Sequence, residues 1–140
     1  MIADPICDIL VTDALVIAAV AAYEGNPAIF DFAPAPIRCP QPLITVEEEG
    51  GPPYGTRASR GSRMRATISI WGNKSDSRAA LRDLSLYVWR AIDRRNLTLR
   101  PPYYEVGCVA DIPREMTDRD GFTGMIINVD VVVLQGSGAL

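Results

Sequence analysis

Apolar and polar residues alternate along three stretches of the chain. From Ser62 to Trp71, Met64, Ala66, Ile68 and Ile70 fall on one side, and Arg63, Arg65, Thr67 and Ser69 on the other. A period of two is that of a strand with one face buried and one in water. From Tyr104 to Ile112 the even positions are apolar, with Glu105 and Asp111 opposite, and from Phe122 to Leu134 the odd positions Met125 to Val133 are apolar, with Asn128 and Asp130 opposite. Leu43 to Glu49 reads as a further strand that ends in three consecutive carboxylates, Glu47, Glu48 and Glu49. Ala28 to Phe32 reads as a short strand.

Two segments have helical spacing instead. Asp4-Pro5 is a good helix start, because Asp can cap unpaired N–H groups and Pro fits the first turn. One straight helix from Pro5 to Ala22 would bury Asp13 in the middle of an apolar face, at the cost of a desolvated carboxylate. Two short helices broken at Thr12-Asp13 avoid that cost. The longest helix is expected from Asp76 to Arg94, with Ala80, Leu81, Leu84, Tyr87, Val88 and Ala91 as its apolar stripe. Leu86 and Trp89 fall instead among Arg78, Arg82 and Arg90 on the outward side, where an apolar pair needs a cover.

Proline and glycine punctuate the rest. Ala33 to Pro42 holds four prolines and is expected to run extended over a surface. The stretch GGPPYGTRASRG, residues 50–61, reads as a long loop with a basic tip at Arg57 and Arg60. The fold class expected is α+β: a mostly antiparallel sheet of about four strands with helices packed on one face. Residues 1–140 are expected to form a single domain with a flexible tail over 135–140.

Composition narrows the chemistry. There is no histidine, which removes the commonest general base and metal ligand. No phosphate-binding glycine loop, HExxH or GxSxG occurs. The three cysteines, Cys7, Cys39 and Cys108, are too far apart for a zinc or dithiol motif and are read as reduced thiols. Asp118-Arg119-Asp120-Gly121 resembles the start of a calcium loop but lacks the later bidentate acid, so an acidic turn is the better reading. Nothing calls for a cofactor, and no catalytic or metal-binding residue is assigned. The first residues carry acids and no basic region, unlike a signal peptide, and the most apolar stretch is too short for a bilayer. A soluble chain with no membrane partner is expected.

In order and pattern, nearly the whole chain resembles the tail-completion, or tail-terminator, family of long-tailed phages and phage-derived particles. The resemblance is carried by ILVTDALVIAAVAAYEG, AIFDF, the proline bridge into LITVEEEG, RMRATISIWGNKSDSRAALRDLSLYVWRAID and EVGCVADIPREMTDRDGFTGMIINVDVVV. It implies a non-enzymatic virion protein that self-associates as a hexameric ring at the head-proximal end of the tail, after assembly in the host cytoplasm. Such a ring stops tube growth, meets the tail tube protein and the head-completion or stopper protein, and lets DNA pass through its lumen unread. Leu86, Trp89, Arg57, Arg60 and Tyr54 are then the expected partner contacts, and Glu47, Glu49, Glu105, Asp111 and Asp130 the lumen candidates. Two other readings stand beside this one: a nucleic-acid-binding α+β module using the arginine loop, and another head-tail connector component. A carboxylate enzyme is a distant further class.

Overall fold

The computed structural model describes residues 2–49, 53–55, 60–72, 77–99, 103–119 and 121–135. The N-terminal segment forms α1 (Ala3–Leu10) and α2 (Ala14–Ala19), broken where the buried-carboxylate argument requires. Asp13 lies at the break as the α2 N-cap, its Oδ1 accepting from the Leu15 and Val16 N–H groups at 3.1 Å. Asp4 does not cap α1; it lies in the first turn. Instead Glu48, far along the chain, accepts the Ile2 N–H on Oε2 at 3.0 Å.

A two-strand ribbon follows, β1 (Ala22–Tyr23) with β2 (Asn26–Pro27). The main sheet comprises β3 (Ile29–Phe30), β4 (Leu43–Glu49), β5 (Pro53–Gly55), β6 (Arg60–Trp71), β7 (Tyr103–Ala110), β8 (Arg114–Asp118) and β9 (Gly121–Gln135). Its principal order is β3-β4-β6-β9-β7, with β5 also paired to β6 and β8 to β9.

The expected sheet of about four mostly antiparallel strands is therefore corrected to seven strands among the described residues, and the sheet is mixed, because β3 runs parallel to β4. The reason lies in strand length. The central strands β6 and β9 span 12 and 15 residues, whereas β4 and β7 span 7 and 8. Their overhanging ends would leave ladder groups unpaired. On β6, β5 continues along the edge that β4 occupies; on β9, β8 continues along the edge that β7 occupies. Both added strands lie in segments whose composition suggests loops. The expected 50–61 loop thus contains regular pairing, Pro53–Gly55 against Arg60–Ser62.

Helix α3 (Arg78–Ile92) starts at Ser77, whose Oγ accepts the Ala80 N–H at 3.4 Å. It buries Leu81, Leu84, Ser85, Val88, Ala91 and Ile92, while Ala80 stays exposed. The three helices cover one face of the sheet. There Ile44, Val46, Ile68, Ile70, Ile127 and Val129 meet Ile2, Ile6, Leu10 and the α3 stripe in one continuous core. The expected flexible tail lies outside the described residues beyond Gln135, which itself pairs as the last residue of β9.

Gly124 sits where the sheet leaves no room for a side chain. It lies opposite Trp71 on β6 and Met116 on β8, and a Cβ there would sit 1.9 Å from the Ile70 carbonyl oxygen. The substitution Gly124→Ala is expected to cost about 3 kcal/mol by forcing backbone apart, which a urea unfolding curve at neutral pH would measure against wild type.

Candidate functional site

Strand alternation sorts the carboxylates of β4. Glu47 and Glu49 point to the face without helices, and Glu48 to the helical side, where it meets the start of α1. On the open face, register aligns Glu49, Arg65 and Asp130 in one cross-strand row. Arg65 Nε donates to Asp130 Oδ1 at 3.1 Å. That hydrogen bond, with the negative charges of Asp130, Glu49 and Asp111 around it, raises the guanidinium pKa further. The next row holds Glu47, Thr67 and Asn128, with the Asp111 N–H donating to the Asn128 carbonyl at 2.8 Å. Four of the five lumen candidates, Glu47, Glu49, Asp111 and Asp130, thus gather in two adjacent rows across the middle of the open face. Glu105 pairs with Val133 in β7, but a bulge shifts the register between Glu105 and Gly107, and its side chain is outside the described set.

The Trp71 end of this face is covered. The bridge Ala33–Gln41 folds over Leu43, Thr45 and Trp71, leaving a groove of about 330 Å³. Trp71 Nε1 donates to the buried Thr45 Oγ1 at 3.0 Å. Among the described residues the acids of the open face thus lie in the rows of Glu47 and Glu49, with the exposed Arg63 one row beyond.

Leu86 and Trp89, paired by sequence reasoning, are separated by the structure. Trp89 is half-buried, packs against the core and donates from Nε1 to the Ala110 carbonyl at 3.1 Å. Asp93 Oδ1 accepts the Ala110 N–H at 2.9 Å, and the Arg94 N–H donates to the Cys108 carbonyl at 3.0 Å. Trp89, Asp93 and Arg94 together occupy outer ladder groups of β7, which would otherwise invite another strand. The sequence offers no short-range signal for this seal, because the groups meet only in the fold. Leu86 does face outward, at 41% exposure, next to Ile112 at 74%. With Arg82, Pro113, Glu115 and Met125 they line a hollow of about 270 Å³. Arg82 and Arg78 converge on Glu115 there, and the hydrogen bond from Arg82 holds the Glu115 carboxyl below its usual pKa.

The remaining partner candidates are less defined. Tyr54 pairs with Gly61, and Arg60 with Gly55 and Gln135, through backbone; their side chains, and Arg57 altogether, lie outside the described residues. Asp118 on β8 pairs with Gly121 on β9, so the first and last residues of the calcium-like fragment lie on paired strands. Cys108 Sγ donates to the Ile92 carbonyl at 3.7 Å, while burial together with the acids Asp31, Asp4 and Asp8 pushes the Cys7 pKa up to about 12. No helix among the described residues is long and apolar enough to cross a membrane.

Residues 8–134 match the family described as Tail completion protein gp17. The chain belongs to that family. It is a structural component of a phage-type virion tail by that membership. A chain of the solved structure "Virion of native gene transfer agent (GTA) particle" shares its fold, with a TM-score of 0.73 and 17% identity over 96% of this chain and 94% of that one. No curated protein sequence matches it.

Two outcomes test the geometry of this tail completion protein. Trp89→Phe keeps the ring but removes the bond to Ala110, leaving a carbonyl without its donor. Denaturant unfolding should show a loss of about 1 kcal/mol. Asp31 lies beside Asp4, and the hydrogen bond they share raises the Asp31 pKa above its usual value. The folded state therefore takes up this proton more readily than the unfolded state. Repulsion lowers stability at neutral pH and fades as pH falls through the raised folded pKa. Asp31→Asn should raise the thermal midpoint at pH 7 and lose that advantage at the acid end of the carboxylate range, as a melting series across pH would show.

Proposed function

We propose that this chain closes the head-proximal end of the tail as a homo-hexameric ring. The ring terminates growth of the tail tube below and presents a surface to the head-completion or stopper protein above. Membership of the tail completion family supports a role in finishing the tail. The similar chain belongs to a virion particle and shares nearly the full fold, which supports assembly with other virion proteins.

The observation that carries the finer reading is the asymmetry of the sheet. One face is closed by helices, and the other gathers Glu47, Glu49, Asp111 and Asp130 around Arg65. An acid-rich face turned to the lumen repels duplex phosphates at close range, and ordinary salt screens that repulsion beyond about 10 Å. DNA then passes without being held. Tight phosphate contacts would oppose its movement during packaging and ejection. The arginines of α3 and of the 50–61 segment are left to protein contacts.

Two measurements test this reading. Particles assembled without the chain should show tails of uncontrolled length and heads without tails by electron microscopy. Tails of normal length joined to heads would overturn the reading. Second, Glu47→Lys with Asp111→Lys should leave the melting temperature nearly unchanged but increase binding of duplex DNA by the assembled ring at low salt. Tight binding by the wild-type ring, unaltered by the reversal, would refute the non-adhesive lumen.

A further inference from the structure

Helix α2 is apolar at all six positions, yet Val16 is its one buried residue. Leu15 is 55% exposed, and Ile17 and Val11 flank it in the open. A helix apolar on every side belongs in a core or beneath a partner. No charged residue from Ala14 to Tyr23 would make this surface comfortable in water.

The charge around it is one-sided. Residues 2–37 carry five acids, Asp4, Asp8, Asp13, Glu24 and Asp31, and no Lys or Arg. The segment 78–95, on and after α3, carries five arginines against Asp83 and Asp93, with Glu115 beside Arg78 and Arg82, and the flank stays net basic. The fold puts these surfaces on opposite flanks. Helix α1 rests on β3 and β4 at one side of the sheet, with α2 beside it against α3. The outward flank of α3 faces β7 and the turn after it, where Leu86 and Ile112 border their apolar hollow.

We propose that the α1–α2 flank of one copy docks on the Leu86–Ile112 flank of the next. The inference rests on the ring reading above and adds the surfaces through which the ring closes. The exposed Leu15 and Ile17 supply apolar contact to Leu86 and Ile112, while the acids of the first segment face the arginines of α3. A contact between two different patches repeats head to tail and closes when the rotation between copies divides a full turn. A second copy suits this flank because the required apolar and basic surface already exists on the same chain.

The test uses the full-length chain in sedimentation equilibrium, with Leu15→Asp breaking one flank and Leu86→Asp the other. Each variant alone should be monomeric where wild type associates, its dissociation constant raised on the order of tenfold or more. Mixed together, the two should form a one-to-one dimer and go no further, because only one intact interface can be made. Association of wild type should also weaken with salt. Both positions are exposed, and melting temperatures confirm folding; Ile17→Asp replaces Leu15→Asp if the latter melts early. If wild type associates and the variants do so equally well, these flanks are wrong while the ring stands. If both variants are monomeric and their mixture stays monomeric, the contact is not head to tail. A wild-type chain that stays monomeric at every concentration overturns the proposal and self-assembly of the ring together.

Discussion

The pairing of β6 with β9 governs the rest of the structure. It runs from Arg60 opposite Gln135 to Trp71 opposite Gly124 without a break in register. Because side chains alternate with a period of two, one slip would turn Ile68, Ile70, Ile127 and Val129 out of the core. Register is therefore locked by burial on one face, and that lock also fixes the other face. Arg65 meets Asp130, and Thr67 meets Asn128, only because their apolar neighbours one position away cannot move. The acid-rich row is a consequence of core packing, and a surface role can be added to it at little structural cost.

Strand existence and facing were legible where the alternation is long. Ser62 to Trp71 and Phe122 to Leu134 follow the period that their sequences display, and the helix break at Asp13 follows from the cost of burying a carboxylate. The parts that escaped detection are those that long-range partners create. Pro53–Gly55 and Arg114–Asp118 have loop composition; they are strands because β6 and β9 overhang beside them. Glu48 looked like one of three equivalent acids, but it serves the first turn of α1. Burial opposes its ionised form, yet hydrogen bonds at the start of the chain, from the Ile2 and Ala3 N–H groups among others, hold its pKa below the usual range.

The candidate site was legible in the same uneven way. Helical spacing placed Leu86 and Trp89 off the main stripe, but it could not show what lies beside that flank or that Trp89 packs against the core. Trp89 is large enough to reach over the end of α3 to Ala110, where its N–H finds an acceptor that no local pattern marks. Leu86 is shorter and ends at the surface. The exposure of α2 escaped for a related reason. A run of apolar residues predicts burial, but periodicity does not say whether the cover comes from the same chain or another.

The two lateral edges of the sheet have different finishes, and this difference bears on assembly. At β7 the outer ladder groups of Cys108 and Ala110 are taken up by Trp89, Asp93 and Arg94, so strand addition is blocked there. At the opposite side β3 covers β4 only along Ile29 and Phe30. A subunit whose outer strand groups are sealed cannot readily join a neighbour by extending its sheet at that point. In the ring proposed above, contacts between copies at the β7 side would then be made by side chains rather than by strand addition. Side-chain contacts of this kind tolerate a fixed rotation from one subunit to the next, as ring closure requires, whereas a continuous sheet would impose its own twist at every junction. The seal at β7 therefore supports the proposed docking through the helical layer, which would leave the acid-rich rows of the sheet to face the lumen.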